Sequence, residues 1–134
     1  MMKDIEFEVY TALANLLHLH FPGIDVSSDF SRSPSEFPHV SIEQSDAPLV
    51  PERQDTKGEA NYWRVVFTVE IYSNRLGSKK RECKEIAGVI DDWMIAHNFT
   101  RLILAPMDYL NDASIFRMVG RYQASTDGSM FYRR

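Results

Sequence analysis

Gly77-Ser78-Lys79-Lys80-Arg81-Glu82-Cys83-Lys84-Glu85-Ile86, then Trp93-Met94, Phe99-Thr100-Arg101-Leu102-Ile103-Leu104 and Ser114-Ile115-Phe116-Arg117-Met118-Val119-Gly120-Arg121-Tyr122 make up the stretch that decides the fold. Cys83, Ile86, Ala87, Ile90, Met94 and His97 recur at helical spacing with Trp93 at the edge, so this stretch opens as an amphipathic helix. Asn74 and Gly77 mark the turn before it, and Ser78 stands where a side-chain N-cap is expected. The period then changes. Phe99 to Ala105 is apolar on both alternations, as in a strand covered on two sides, by helices or by another subunit. Asn111-Asp112 turns the chain into a strand from Ser114 to Ala124, with Phe116, Met118 and Tyr122 on one face and Arg117 and Arg121 on the other.

Upstream, Tyr62 to Tyr72 alternates strictly, Trp63, Val65, Phe67, Val69 and Ile71 against Tyr62, Arg64, Val66, Thr68 and Glu70, which predicts a strand with one core face. Lys3 to His20 spaces Ile5, Val9, Ala12, Leu13, Leu16 and His20 for an amphipathic helix stopped by Phe21-Pro22-Gly23. Asp4, Glu6 and Glu8 lie in its early turns, where they complement the helix dipole. Ile24-Asp25-Val26-Ser27 and His39 to Gln44 read as strands on either side of a Ser/Pro-rich turn from Ser31 to Pro38. The order is α-β-β-β-α-β-β, which predicts an α+β fold: a mostly antiparallel sheet with both helices packed on one face.

Ser45 to Ala60 is different in texture. Pro48, Pro51, Gly58 and mixed charges surround Leu49 and Val50, so it predicts a long flexible loop, read either as a functional projection or as a tolerated surface insertion. Residues 1–125 are expected to form one domain. Thr126-Asp127-Gly128-Ser129 is a tight-turn signal, after which 126–134 ends as a short hairpin strand or an arm.

The 134 residues suffice for a single core without staples, and 44% apolar with 25% charged residues is an ordinary globular balance. A net charge of −4 gives no general affinity for nucleic acid. The lone Cys83 has no internal disulfide partner and lies on an apolar helix face, so it reads as a buried structural thiol in a reducing compartment. Neither a secretory core nor a run of apolar residues long enough to cross a bilayer is present, so a soluble protein made in the cytoplasm and not bound to a membrane is expected.

Chemistry has no visible anchor. His18 and His20 diverge around their helix, His39 and His97 have no second ligand at metal spacing, and each reads as structural or surface histidine. No nucleophile elbow, phosphate-cradling glycine loop or Cys-x-x-Cys pair is present. Asp91-Asp92 and Asp108/Asp112 read as solvated acids. The expectation is a protein that is not an enzyme and takes no cofactor or metal. Two charge features remain. Lys79, Lys80, Arg81 and Lys84 crowd the start of the second helix, against the dipole, which suggests a partner surface. Arg64, Arg117 and Arg121 form a candidate stripe on the sheet's open face, with ordinary solubility as the plainer explanation.

The succession of leading helix, long loop, Tyr62 to Tyr72 strand, Lys/Arg-headed helix and paired C-terminal strands resembles the tail terminator, or tail-completion, proteins of long-tailed bacteriophages. Ile115-Phe116-Arg117-Met118-Val119-Gly120-Arg121-Tyr122 after an acidic turn is the most suggestive local match. The resemblance implies a structural virion protein forming a homo-hexameric ring that caps the head-proximal end of the tail tube. Such a ring ends tube polymerisation and offers a surface to the head connector. DNA passes through its lumen without specific binding, which suits an acidic chain. The implied partners are further copies of the chain, the tube protein and the connector. On this reading Lys79, Lys80, Arg81, Lys84, Arg117 and Arg121 are partner-interface candidates. Leu49, Val50, Glu52, Arg53, Asp55, Lys57 and Glu59 form a loop facing the lumen or the tube, and the 130–134 arm clasps a neighbour. Another connector or minor tail component is the nearest alternative, and a small-molecule-binding module or enzyme is the alternative of a different class.

Overall fold

The computed structural model describes residues 5–28, 36–46, 63–107, 112–126 and 131–132. Two helices, α1 (Glu6–His20) and α2 (Lys79–Ala96), pack on one face of a sheet built from β1 (Asp25–Ser27), β2 (His39–Asp46), β3 (Trp63–Ser73), β4 (Thr100–Met107), β5 (Phe116–Thr126) and β6 (Phe131–Tyr132). The strand order is β1-β2-β3-β5-β4, with β6 paired to β5. Among the described residues, only the β1–β2 pair is parallel. The predicted α+β class and element order are those observed.

β3 and β5 form the spine, paired in unbroken antiparallel register from Trp63↔Thr126 to Ser73↔Phe116. Alternation aims Val65, Phe67, Val69 and Ile71 of β3 and Met118, Tyr122 and Ala124 of β5 at the helices, where they join Val9, Leu13 and Leu17 of α1 and Cys83, Ile86, Ile90 and Met94 of α2 in one core. Gly120 lies on the same face, where an added Cβ would stand 3.1 Å from the Tyr122 ring and 3.2 Å from Leu104. Its missing side chain lets those two residues close over the strand.

Several sequence expectations need correction. The buried stripe of α1 runs through Ile5, Val9, Leu13 and Leu17 with Ala14, whereas Ala12 and Leu16 are half-buried and His20 is exposed. The apolar surplus on that helix permits two stripes, and contact with β2 and α2 selects one. Ser78 occupies the N-cap position of α2 without a side-chain hydrogen bond. The first turn is held instead by Glu82, which accepts from Ser73 Oγ at 2.5 Å. His97, placed in the apolar stripe by spacing, is exposed, donates Nδ1–H to the Trp93 carbonyl at 2.8 Å and stacks on the Trp93 ring. The helix closes in a Schellman arrangement: Asn98 adopts φ +71°, its N–H bonds Ile95 O, and Phe99 N–H bonds Met94 O.

Among the described residues, the helix layer covers β4 on one side only. β4 is the sheet edge, Leu104 packs toward the core, and Leu102, Ile103 and Met107 are exposed. At the C-terminus, Phe131 and Tyr132 pair with Thr126 and Ser125 of the chain's own β5. Among the described residues, no helix is long and apolar enough to cross a membrane.

Candidate interaction surfaces

The predicted basic cluster is real as a surface. Gly77, at φ +79°, turns the chain into α2, and Lys80, Arg81 and Lys84 stand exposed on its first turns, while Lys79 Nζ reaches the Ala113 carbonyl at 3.2 Å. A cavity of about 740 Å³ opens here, lined among the described residues by Gly77, Ser78, Lys79, Lys80, Arg81, Lys84 and Glu85. Cations and the free N–H groups of a helix start favour acidic chemistry in a partner.

Arg64, Arg117 and Arg121 share the sheet face away from the helices but are spread along it, Arg64 opposite Ser125, Arg121 opposite Thr68 and Arg117 opposite Tyr72 in the β3–β5 register. The structure thus divides the six interface candidates between two surfaces: the four lysine and arginine residues of α2 on the helix layer, Arg117 and Arg121 on the opposite face. Arg117 is engaged within the chain. Its Nε and a terminal nitrogen donate to Glu70 Oε1 at 2.9 and 2.5 Å, and the Tyr72 hydroxyl donates to the same oxygen at 3.0 Å. Burial works against the Arg117 charge, but hydrogen bonding to Glu70 outweighs it and holds the guanidinium above its ordinary range. Burial, then the Glu70 charge, pushes the Tyr72 phenol well above its usual range. Arg121 remains exposed. The loop candidates Leu49, Val50, Glu52, Arg53, Asp55, Lys57 and Glu59 lie outside the described residues, as do Met130, Arg133 and Arg134 of the proposed arm.

Three polar groupings escaped the sequence reading. Asp91, expected to be a solvated acid, accepts from the buried Tyr122 hydroxyl at 2.8 Å and from Arg101 at 2.9 Å. Helical periodicity places Asp91 next to Ile90, but nothing local announces a partner thirty-one positions away. Asp112 accepts from the Ser114 hydroxyl and backbone N–H, and those bonds lower its pKa. On β1 and β2, His39 Nδ1 bonds Asp25 Oδ2 at 2.7 Å, while its Nε2 lies 3.5 Å from Ser27 Oγ. That contact order is the one used by Ser-His-Asp hydrolases. Here, however, His39 is only 3% exposed and the hydroxyl contact is long, so the trio ties the short parallel pair together and leaves little approach for a substrate. Among the described residues, no group of three or more His, Cys, Asp or Glu side chains is arranged to hold a metal ion.

No protein-family model matches the chain, and no curated protein is similar to it in sequence. A solved structure is similar in fold: a chain of the virion of a native gene transfer agent particle, with a TM-score of 0.63 and 15% identity over 91% of each chain. A virion component shares this architecture. At that identity the likeness shows the fold alone, along nearly its whole length.

Proposed function

We propose that this chain is a structural protein of a phage-like virion. It assembles as a ring on the head-proximal end of the tail tube, ends tube growth and presents a joining surface to the head connector. The observation that carries this reading is the fold likeness to a virion chain over 91% of both molecules, which agrees with the resemblance read from element order. The open apolar edge at β4 supports it, since a subunit of a closed assembly has to expose surface that only a neighbour covers. The basic start of α2 supplies a contact for an acidic partner surface, and the chain acts by binding rather than by catalysis.

The test is electron microscopy of particles produced with this gene disrupted. Tubes of uncontrolled length, unattached to heads, are expected, whereas tails of normal length joined to heads would contradict the terminating role. A second reading, a small-ligand module, draws on the 740 Å³ cavity at the start of α2. A rise in melting temperature with a small anionic ligand, and no assembly, would favour it.

A further inference from the structure

The two ends of the sheet are finished differently. At the β1/β2 end, α1 closes the edge: the Tyr10 hydroxyl donates to the Val26 carbonyl at 3.1 Å, and Glu6 Oε2 accepts from Gln44 N–H at 2.7 Å. Those bonds occupy edge groups that an added strand would need. Phe7, three residues before Tyr10 and so on the same flank of α1, is nevertheless 71% exposed. At the other end β4 is an edge strand, with Ile103 and Met107 40% and 45% exposed.

From this asymmetry we infer that the chain binds a second copy of itself head to tail, the β4 edge of one copy seating against the Phe7–Tyr10 flank of α1 on the next. The two apolar surfaces sit at opposite ends of a five-strand path, so no copy can satisfy its own. A contact between different surfaces repeats until it closes into a ring. Charge favours the same arrangement. Arg121 stands exposed beside the β4 end and Glu43 lies on β2 towards the other end, whereas Arg101 and Asp25 are already engaged by Asp91 and His39 within the chain. Head-to-tail docking brings Arg121 towards the acidic side of the next copy, whereas two-fold pairing of β4 with β4 sets Arg121 against its own copy. This inference rests on the ring reading and names its interface.

The experiment uses the full chain with single thiols introduced at exposed positions, Cys83 being buried. Phe7→Cys and Ile103→Cys proteins are oxidised separately and mixed, with Leu19→Cys, on the other flank of α1, as control, and solution mass is followed in parallel. A disulfide-linked dimer is expected only in the Phe7→Cys and Ile103→Cys mixture, and the double variant should give a ladder that ends at the ring. Linkage of Ile103→Cys to itself, or of Leu19→Cys as efficiently as Phe7→Cys, would overturn the inference. A ring of full mass without the mixed linkage would also overturn it while leaving the proposed function standing. Failure of that function shows separately, as normal tails in the gene-disrupted particles.

Discussion

The Tyr122 hydroxyl of β5 donates to Asp91 Oδ1 of α2 at 2.8 Å, and the other oxygen of the same carboxylate takes Arg101 of β4, so one acid ties three elements together under the open edge. Burial, then the Asp91 hydrogen bond, pushes the Tyr122 phenol far above its ordinary range. Removing the donor with Tyr122→Phe should cost about 1 kcal/mol. Asp91→Ala, which leaves a buried hydroxyl unpaired and releases Arg101, should cost about 2 to 3 kcal/mol. Urea unfolding of both variants and of the double variant checks this, and the expected result is a double cost well below the sum.

Glu70→Ala should be more damaging than any change at exposed Arg121. It removes the carboxylate that the Arg117 guanidinium and the Tyr72 hydroxyl share on the face away from the helices, leaving a half-buried cation without its counter-charge. About 2 to 3 kcal/mol is expected, below the roughly 3 to 5 of a fully buried pair because Arg117 keeps some solvent. Replacing Glu70 and Arg117 together by Gln and Met should recover much of the loss in chemical denaturation.

Cys83 makes stability pH-dependent on the alkaline side. Burial, then the charge of Glu82, raises its thiol from 9.0 to about 12. The native state therefore holds the proton more tightly than the unfolded chain. Below pH 9 both states keep the proton and this group adds no pH dependence. Above it the unfolded thiol ionises first, and stability should fall at up to about 1.4 kcal/mol per pH unit until the native pKa is passed. Urea midpoints from pH 8 to 10 should show the decline in the native sequence and a flatter line in Cys83→Ala, and the native thiol should react with a disulfide reagent only as fast as the protein unfolds.

Gly120→Ala tests the close approach over β5. The new methyl would meet the Tyr122 ring, which Asp91 anchors, and Leu104, which lies on the edge strand and can yield. A loss of about 1 kcal/mol is expected from thermal unfolding, reduced when Leu104→Ala is added.

Much of the architecture was legible because it is written in local periods. Val65, Phe67, Val69 and Ile71 alternate, Cys83, Ile86, Ile90 and Met94 repeat at three to four, and the structure buries all eight. What stayed hidden depends on neighbours in space. Leu102, Ile103 and Leu104 look equally suited to burial in sequence, but only the strand order shows that β4 is the edge and that two of the three face outward. Likewise Asp91 and Asp92 are alike in sequence, and only the fold sets Tyr122 and Arg101 beside the first. Of the candidate interface, the cluster at Lys79 to Lys84 was visible as charge against a helix dipole. The engagement of Arg117 by Glu70, forty-seven residues earlier, had no local sign.

The mass of the purified protein in solution, measured by light scattering over a range of concentrations and in the presence of tail tubes, tests the central claim most directly. The account predicts a closed species of about 90 kDa, six copies of the 15.5 kDa chain, with a central hole in negative-stain images. A protein that stays at the mass of one chain at every concentration and on the tubes would contradict it.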